Sequence, residues 1–146
     1  MNETMITGID HFTINVLDKE ASLWFYGVFL GLPELDIINL KDQEIRYYGL
    51  TNNCRLELID YEEDSEKHIC QISSPTGRKD VASLQRAKGC YRHMALLTDH
   101  LDEFYIKVVK YGIPVRMEPT IMKELGIKGI LIEDPNGVEI EIVEKL

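Results

Sequence analysis

Glu133-Asp-Pro-Asn-Gly-Val-Glu-Ile-Glu-Ile-Val-Glu144 reads as a turn followed by a strand. Pro135 fixes φ, and Asn136-Gly137 tolerates positive φ, so the chain reverses between Asp134 and Gly137. Beyond the turn, apolar and charged residues alternate. Val138, Ile140 and Ile142 share one face; Glu139, Glu141 and Val143 share the other. One strongly apolar face predicts packing on a core. For an isolated strand, the carboxylate face would be read as a solvated exterior. Its meaning changes because the same pattern occurs twice, each time after a strand that carries a histidine.

The first copy begins with a strand over residues 6–16, with Phe12, Ile14 and Val16 on one side and His11, Thr13 and Asn15 on the other. Asp18 is a helix N-cap. Ala21, Trp24, Phe25, Val28 and Phe29 then recur at helical spacing, and Gly31-Leu32-Pro33 stops the helix. Leu23, Tyr26 and Leu30 are further apolar residues on that helix, which would suit a partner surface or a wide core contact. Short strands follow near 34–40, 43–50 and 53–60. In the second copy Tyr91–Thr98 is a strand, and Leu101, Phe104, Tyr105, Val108 and Val109 repeat the helical spacing. Gly112-Ile113-Pro114 is the stop, and strands near 113–118, 127–133 and 138–144 complete it. The offset is nearly constant: 80 residues from Ala21 to Leu101, 81 from Gly31 to Gly112, 82 from His11 to His93 and 84 from Glu57 to Glu141. A fixed offset over a whole unit is an internal repeat. It predicts an α+β fold of two tandem βαβββ modules. The first covers about 6–60, a connection about 61–90 and the second about 91–146, all within one domain over residues 1–146.

Strand parity places four residues of the repeat on corresponding faces. Phe12/Ile14, Leu56/Leu58, Met94/Leu96 and Val138/Ile140 are the core-facing pairs, so His11, Glu57, His93 and Glu141 lie opposite them. At the offset of Glu57, Glu139 corresponds to Arg55, which sets Glu139 apart from the four. A single strand histidine is most often a hydrogen-bonded, half-buried residue, and a single strand glutamate is most often solvated. Four at matched positions are better explained as two imidazoles and two carboxylates around one divalent metal. Nickel, zinc, cobalt, manganese and iron(II) all accept such donors and keep positions for substrate.

The chain of 146 residues carries a net charge of −9, which argues against a nucleic-acid or anionic-membrane partner. Its N-terminus lacks a basic region followed by an apolar run, and no apolar stretch approaches membrane-spanning length. Cys54, Cys70 and Cys90 are odd in number and widely spaced, which indicates free thiols and a cytoplasmic setting rather than a disulfide framework. Between the modules, Arg78, Lys79, Arg86, Lys88 and Arg92 face one acid, Asp80. Such a basic segment beside a ligand strand could hold an anionic substrate end, with Arg78, Arg86 and Arg92 as candidates; a solvated helix face explains it equally well.

The sequence resembles the vicinal oxygen chelate superfamily, the glyoxalase/bleomycin-resistance/extradiol-dioxygenase group. The resemblance rests on Ile9-Asp10-His11-Phe12, Ser22-Leu-Trp-Phe-Tyr26 and Leu30-Gly31-Leu32 in the first copy. It rests also on Arg55-Leu-Glu57-Leu-Ile, Tyr91-Arg-His93-Met-Ala95 and Asp134-Pro-Asn-Gly-Val-Glu-Ile-Glu141. It implies a paired βαβββ fold whose curved mixed sheet surrounds a metal. In glyoxalase I the metal ligands match His11, Glu57, His93 and Glu141. The intact quartet implies a metal-dependent lyase or isomerase that removes a proton next to a metal-bound carbonyl. Glu141 is the base by this resemblance and Glu57 the opposing carboxylate. Asn15 and Tyr61 stand where glutathione-using forms often carry Arg and Asn, so the substrate class stays at a small molecule, such as a thiol adduct or an anionic metabolite. Alternatives within the resemblance are an epimerase, an iron(II) ring-cleaving dioxygenase using a tyrosine such as Tyr47, Tyr48 or Tyr91, and a non-catalytic binding or resistance protein. Similar proteins are frequently homodimers.

Overall fold

In the computed structural model, which describes residues 5–62, 86 and 88–146, the chain divides into two units, Met1–Lys67 and His68–Leu146. In the first unit β1 (His11–Asn15) is followed by α1 (Lys19–Leu23), which runs on as a π-helical stretch over Trp24–Phe29. β2 (Glu34–Asn39), β3 (Gln43–Gly49) and β4 (Arg55–Tyr61) follow. The second unit contains β5 (Met94–Leu97), α2 (Leu101–Lys110), β6 (Val115–Met122), a short 3-10 turn over Lys123–Leu125, β7 (Ile127–Glu133) and β8 (Glu139–Lys145). This is βαβββ twice, as the repeat predicts.

Each unit builds a four-stranded mixed sheet, ordered β1-β4-β3-β2 in one and β5-β8-β7-β6 in the other. In both, the first and last strands of the unit are parallel neighbours and the other pairings are antiparallel. The register of β1–β4 and β3–β4 repeats residue for residue in β5–β8 and β7–β8, while the outer pairs β2–β3 and β6–β7 are irregular at different places. Thr13 stands opposite Glu57 as Ala95 stands opposite Glu141, and Tyr47 opposite Glu57 as Leu131 opposite Glu141. A one-residue slip in either copy would turn its glutamate to the opposite face of the sheet, so this register fixes where the carboxylates point.

Local sequence explains the element ends. Asp18 caps α1 by accepting a hydrogen bond from the Ala21 backbone N–H at 3.0 Å. α2 begins differently, with Glu144 Oε2 accepting from the Leu101 N–H at 2.9 Å. Gly31 and Gly112 follow the two helical segments at φ 70° and 66°, a left-handed conformation that glycine adopts without a Cβ penalty. In the 134–137 turn, Asp134 Oδ1 accepts from the N–H groups of Asn136 and Val138 at 2.8 and 2.7 Å, and only Gly137 takes a positive φ. The turn that aims β8 is therefore built by a buried carboxylate.

The core differs from the sequence expectation in the first helix. Ser22, Phe25, Tyr26 and Phe29 are buried, whereas Trp24 is 38% and Val28 66% exposed. The inward stripe lies one residue from the predicted one, and Tyr26 belongs to the core rather than to an outer surface. The helical stretch is wound wider than an α-helix, with the Leu30 N–H bonded to the Phe25 carbonyl at 2.8 Å, an i to i+5 spacing. In the second helix Leu101 and Val108 are buried, but Val109 is 61% exposed. Of the predicted core-facing strand residues, Ile14, Leu56, Leu58, Met94, Ile140 and Ile142 are buried and Phe12, Leu96 and Val138 half-buried, while on β8 Glu139 and Val143 of the opposite face are buried as well. Each fully buried aliphatic side chain of this kind contributes roughly 1.5–3 kcal/mol to folding.

No helix among the described residues is long and apolar enough to cross a membrane. Cys54 and Cys90 are free thiols.

Candidate functional site

In the first unit, parallel pairing of β1 with β4 sets His11 opposite Arg55 and Thr13 opposite Glu57. His11 and Glu57 share the face away from Leu56 and Leu58, as parity predicts. His11 Nε2 lies 3.9 Å from Glu57 Oε2. The other ring nitrogen, Nδ1, donates to Asp10 Oδ2 at 2.7 Å. A carboxylate only accepts, so this contact places a proton on Nδ1 and, in the neutral ring, leaves Nε2 as the lone-pair nitrogen. Arg55 also donates to Asp10 Oδ2, at 3.0 Å, and its guanidinium lies 4.4 Å from the Tyr47 ring centroid. These contacts hold the Asp10 carboxyl below the usual carboxylate range, the His11 hydrogen bond first and Arg55 next.

Glu57 is buried, only 8% exposed. Thr13 Oγ1 donates to its Oε1 at 3.1 Å, and Tyr47 gives it a second hydroxyl hydrogen bond. That bond raises the Tyr47 pKa above the usual phenol value, since the hydroxyl proton is held by the carboxylate; partial burial adds to the effect.

In the second unit His93 immediately precedes β5, and Glu141 lies on β8, the parallel neighbour of β5. His93 Nε2 is 2.8 Å from Glu141 Oε2, and Nδ1 is 2.6 Å from Glu139 Oε2. The imidazole thus lies between two carboxylates. The Glu139 contact is the largest cause that raises the His93 pKa, with Glu141 adding to it and burial opposing both. Glu139 is 0% exposed and is held by two arginines: Arg92 Nε donates to Oε2 at 2.9 Å, and an Arg116 terminal nitrogen lies 3.6 Å from Oε1. Arg116 comes from β6 and also donates to Glu133 Oε2 at 3.1 Å and to the Gly137 carbonyl at 3.2 Å. Glu141 closes over Gly129 on β7, where an added Cβ would sit 3.3 Å from Oε1. The carboxylate occupies space that a larger residue at 129 would contest.

The predicted quartet is therefore present as two His–Glu pairs, one in each unit. Among the described residues, no group of three or more His, Cys, Asp or Glu side chains is placed to hold a metal ion. Of the predicted substrate-binding arginines, Arg78 lies outside the described residues, Arg86 is exposed in a turn, and Arg92 is engaged by Glu139.

The sequence reading assigns no role to Asp10, Glu139 or Thr13, and it offers Tyr47 only as a ring-cleavage candidate, not as the partner of Thr13 beside Glu57. A signal for the first two was present. Asp10 and Arg92 each precede the histidine, and Arg55 and Glu139 each stand two residues before the glutamate. The ion pair recurs in both copies with its charges exchanged.

A family model for the glyoxalase/bleomycin resistance protein/dioxygenase superfamily matches residues 8–142. The chain belongs to this superfamily. It is 30% identical over 141 residues to the uncharacterized protein YwbC of Bacillus subtilis (strain 168), covering 97% of this chain and all of that one. Among solved structures it resembles a glyoxalase/dioxygenase from Nostoc punctiforme, with a TM-score of 0.71, 21% identity and coverage of 100% and 99% of the two chains. It also resembles the trypanothione-dependent glyoxalase I of Leishmania major, with a TM-score of 0.68, 19% identity and coverage of 95% and 87%. At these identities the structural matches establish the paired βαβββ fold. Members of the superfamily are mostly enzymes and typically use a divalent metal. The donors found here suit one, since neutral imidazole nitrogen and carboxylate oxygen are ordinary ligands of such ions.

Proposed function

We propose that the chain is a metal-dependent lyase or isomerase of the glyoxalase I type. His11, Glu57, His93 and Glu141 act as ligands of one divalent ion: nickel, zinc, cobalt, manganese or iron(II). The observation that carries this reading is the duplicated pair, a histidine with Nδ1 held by one carboxylate and Nε2 turned towards another. Catalytic metal sites commonly use three protein ligands, so neither pair suffices alone and the reading needs both.

A divalent ion so held supplies a Lewis acid that polarises a carbonyl oxygen of the substrate. The protein's own part is the proton. A carboxylate removes it from the carbon beside the carbonyl and returns it to the neighbouring carbon, with no change in overall oxidation state. The two glutamates are unequal in this respect. Glu57 accepts from Thr13 and Tyr47, whereas the corresponding neighbours of Glu141 are Ala95 and Leu131. Glu141 meets His93 through Oε2 and no hydroxyl stands at those two positions, so its Oε1 is the oxygen better placed to accept a substrate proton, and Glu57 is the opposing carboxylate.

The substrate in this reading is a small molecule with neighbouring oxygens, such as a thiol adduct or an anionic metabolite. Arg78 and Arg86 are the candidates for its anionic end; Arg92 serves Glu139 first. A homodimer is part of the reading, and exposed Trp24 and Val28 would suit the contact. The free thiols fit a cytoplasmic setting.

The test is metal content by plasma mass spectrometry on untagged protein, wild type beside His93→Ala, followed by solvent deuterium incorporation with candidate hemithioacetals. One divalent ion per site in the wild type, lost in the variant, is the expected result. No metal in either protein after reconstitution would sink the reading in favour of a non-catalytic small-molecule binder.

A further inference from the structure

Each of the two histidines has a carboxylate on Nδ1, but the carboxylate does not come from the same place in the repeat. In the first unit it is Asp10, beside the histidine in sequence, and Arg55 on the neighbouring strand pairs with it at 3.0 Å. In the second unit it is Glu139, on the neighbouring strand, and Arg92 beside the histidine pairs with it at 2.9 Å. The positions correspond: Asp10 to Arg92 is 82 residues, matching His11 to His93, and Arg55 to Glu139 is 84, matching Glu57 to Glu141. An ion pair needed only to fasten two strands would work in either polarity. Here both polarities leave an acid within 2.7 Å of a histidine Nδ1, and neither leaves the arginine in that place.

We infer that Asp10 and Glu139 are positioning residues. Each fixes the ring orientation of its histidine and holds the Nδ1 proton. In the neutral His11 ring this leaves the Nε2 lone pair facing Glu57, and in His93 it makes the Nε2 proton, shared with Glu141 at 2.8 Å, the one that a bound cation would displace. Arg55 and Arg92 steady the two acids. The inference rests on the metal-ligand reading for its consequence, but not for its geometry. A ligating histidine whose outer nitrogen loses its partner must spend binding energy on ordering the ring and choosing the tautomer, and such losses weaken metal affinity roughly 10- to 100-fold.

The experiment is nitrogen-15 NMR of the histidine side chains at a pH where His11 is neutral, together with cobalt(II) titration followed by its visible spectrum. Wild type is compared with Asp10→Ala, Arg55→Ala, Glu139→Gln and the double exchange Asp10→Arg/Arg55→Glu. Expected are an Nδ1–H tautomer for His11 in the wild type and in Arg55→Ala, and a shift towards Nε2–H in Asp10→Ala. The double exchange rebuilds in the first unit the polarity of the second and should restore the Nδ1–H tautomer. Cobalt affinity should follow the tautomer, falling roughly 10- to 100-fold in Asp10→Ala and recovering in the exchange. Glu139→Gln should weaken cobalt by a similar factor while remaining folded by circular dichroism. Tautomer and affinity both unchanged in Asp10→Ala would overturn the inference. A tautomer switch in a protein that binds no cobalt at all would uphold the positioning and overturn the metal reading instead.

Discussion

Glu139 Oε2 lies 2.6 Å from Nδ1 of His93, inside the protein, while the comparable partner of His11, Asp10, has a side chain 72% exposed. The same contact is made at very different depths. Removing Glu139 takes the acid from Arg92 and from the His93 ring and one contact from Arg116, which keeps Glu133. Breaking a buried pair from one side costs up to about 3–5 kcal/mol, less where a partner is half-exposed or retains another acid. Removing Asp10 leaves Arg55 in reach of water, where solvent screens the pair and its loss is felt little. Urea denaturation of Glu139→Ala and Asp10→Ala should therefore differ several-fold in lost stability. Equal losses would mean that Glu139 is compensated by water or by rearrangement of Arg116.

Gly129 gives a way to disturb Glu141 without touching a donor. A Cβ there would come 3.3 Å from Glu141 Oε1 and 3.3 Å from Met122 Cε, both flexible side-chain ends. Gly129→Ala should leave thermal stability unchanged or slightly raised, because glycine in a strand interior is disfavoured by roughly 0.5–1 kcal/mol relative to alanine. It should lower turnover or metal affinity by displacing the carboxylate a few tenths of an ångström. A variant that keeps wild-type cobalt affinity and turnover would show that the Glu141 position is not tightly set.

Part of the acid sensitivity of the first unit should trace to Glu44, which is less exposed than Asp10, the other lowered carboxyl there. Lys19 on α1 donates to Glu44 Oε2 at 2.8 Å, and Arg46 donates to Oε1 at 2.9 Å. The Lys19 hydrogen bond is the leading cause that lowers the Glu44 pKa below its ordinary 4.5, with burial opposing it and Arg46 reinforcing it. A lowered carboxyl contributes stability that is present above the unfolded-state pKa and lost as pH falls through the folded-state value. Glu44→Gln should be less stable than wild type by about 1 kcal/mol at neutral pH. The two melting curves should converge as pH falls below the ordinary 4.5. A gap that persists in acid would assign the effect to packing rather than charge.

The sequence carried the architecture because periodicity and repeat offset depend only on local order. The matched stops at Gly31 and Gly112 and the side of each strand that carries His11, Glu57, His93 and Glu141 could be read that way, whereas the parallel pairing of histidine strand with glutamate strand is a long-range contact that only the structure gives. What escaped it depends on contacts between residues distant in sequence. The first helix buries Ser22, Phe25, Tyr26 and Phe29, a stripe of ordinary helical spacing one residue on from the predicted one, because the run Leu23–Leu30 is apolar at nearly every position and periodicity alone does not set its phase. Glu139 looks solvated on an alternating strand, yet Arg116 on β6 and Arg92 before β5 enclose it, and no local pattern announces those partners. The charge exchange between the copies was visible in the sequence, but its meaning required knowing that His11 stands opposite Arg55.

The inequality of the two glutamates gives the sharpest test of the proton's route. Tyr47 and Thr13 occupy Glu57, and Leu131 and Ala95 stand at the matching places beside Glu141. Glu141→Gln, which retains a ligating oxygen but cannot take a proton, should lower kcat roughly 100- to 10,000-fold and abolish deuterium incorporation from solvent. Glu57→Gln should lose much less. Tyr47→Phe keeps the ring against Arg55 while removing the hydroxyl from Glu57, and it should leave kcat within a few-fold of wild type. Should Tyr47→Phe and Glu57→Gln instead collapse exchange while Glu141→Gln retains it, the proton would move on the hydroxyl-lined side. Glu57 would then be the base, and the polar neighbours that distinguish it would be serving the transfer rather than holding the carboxylate still.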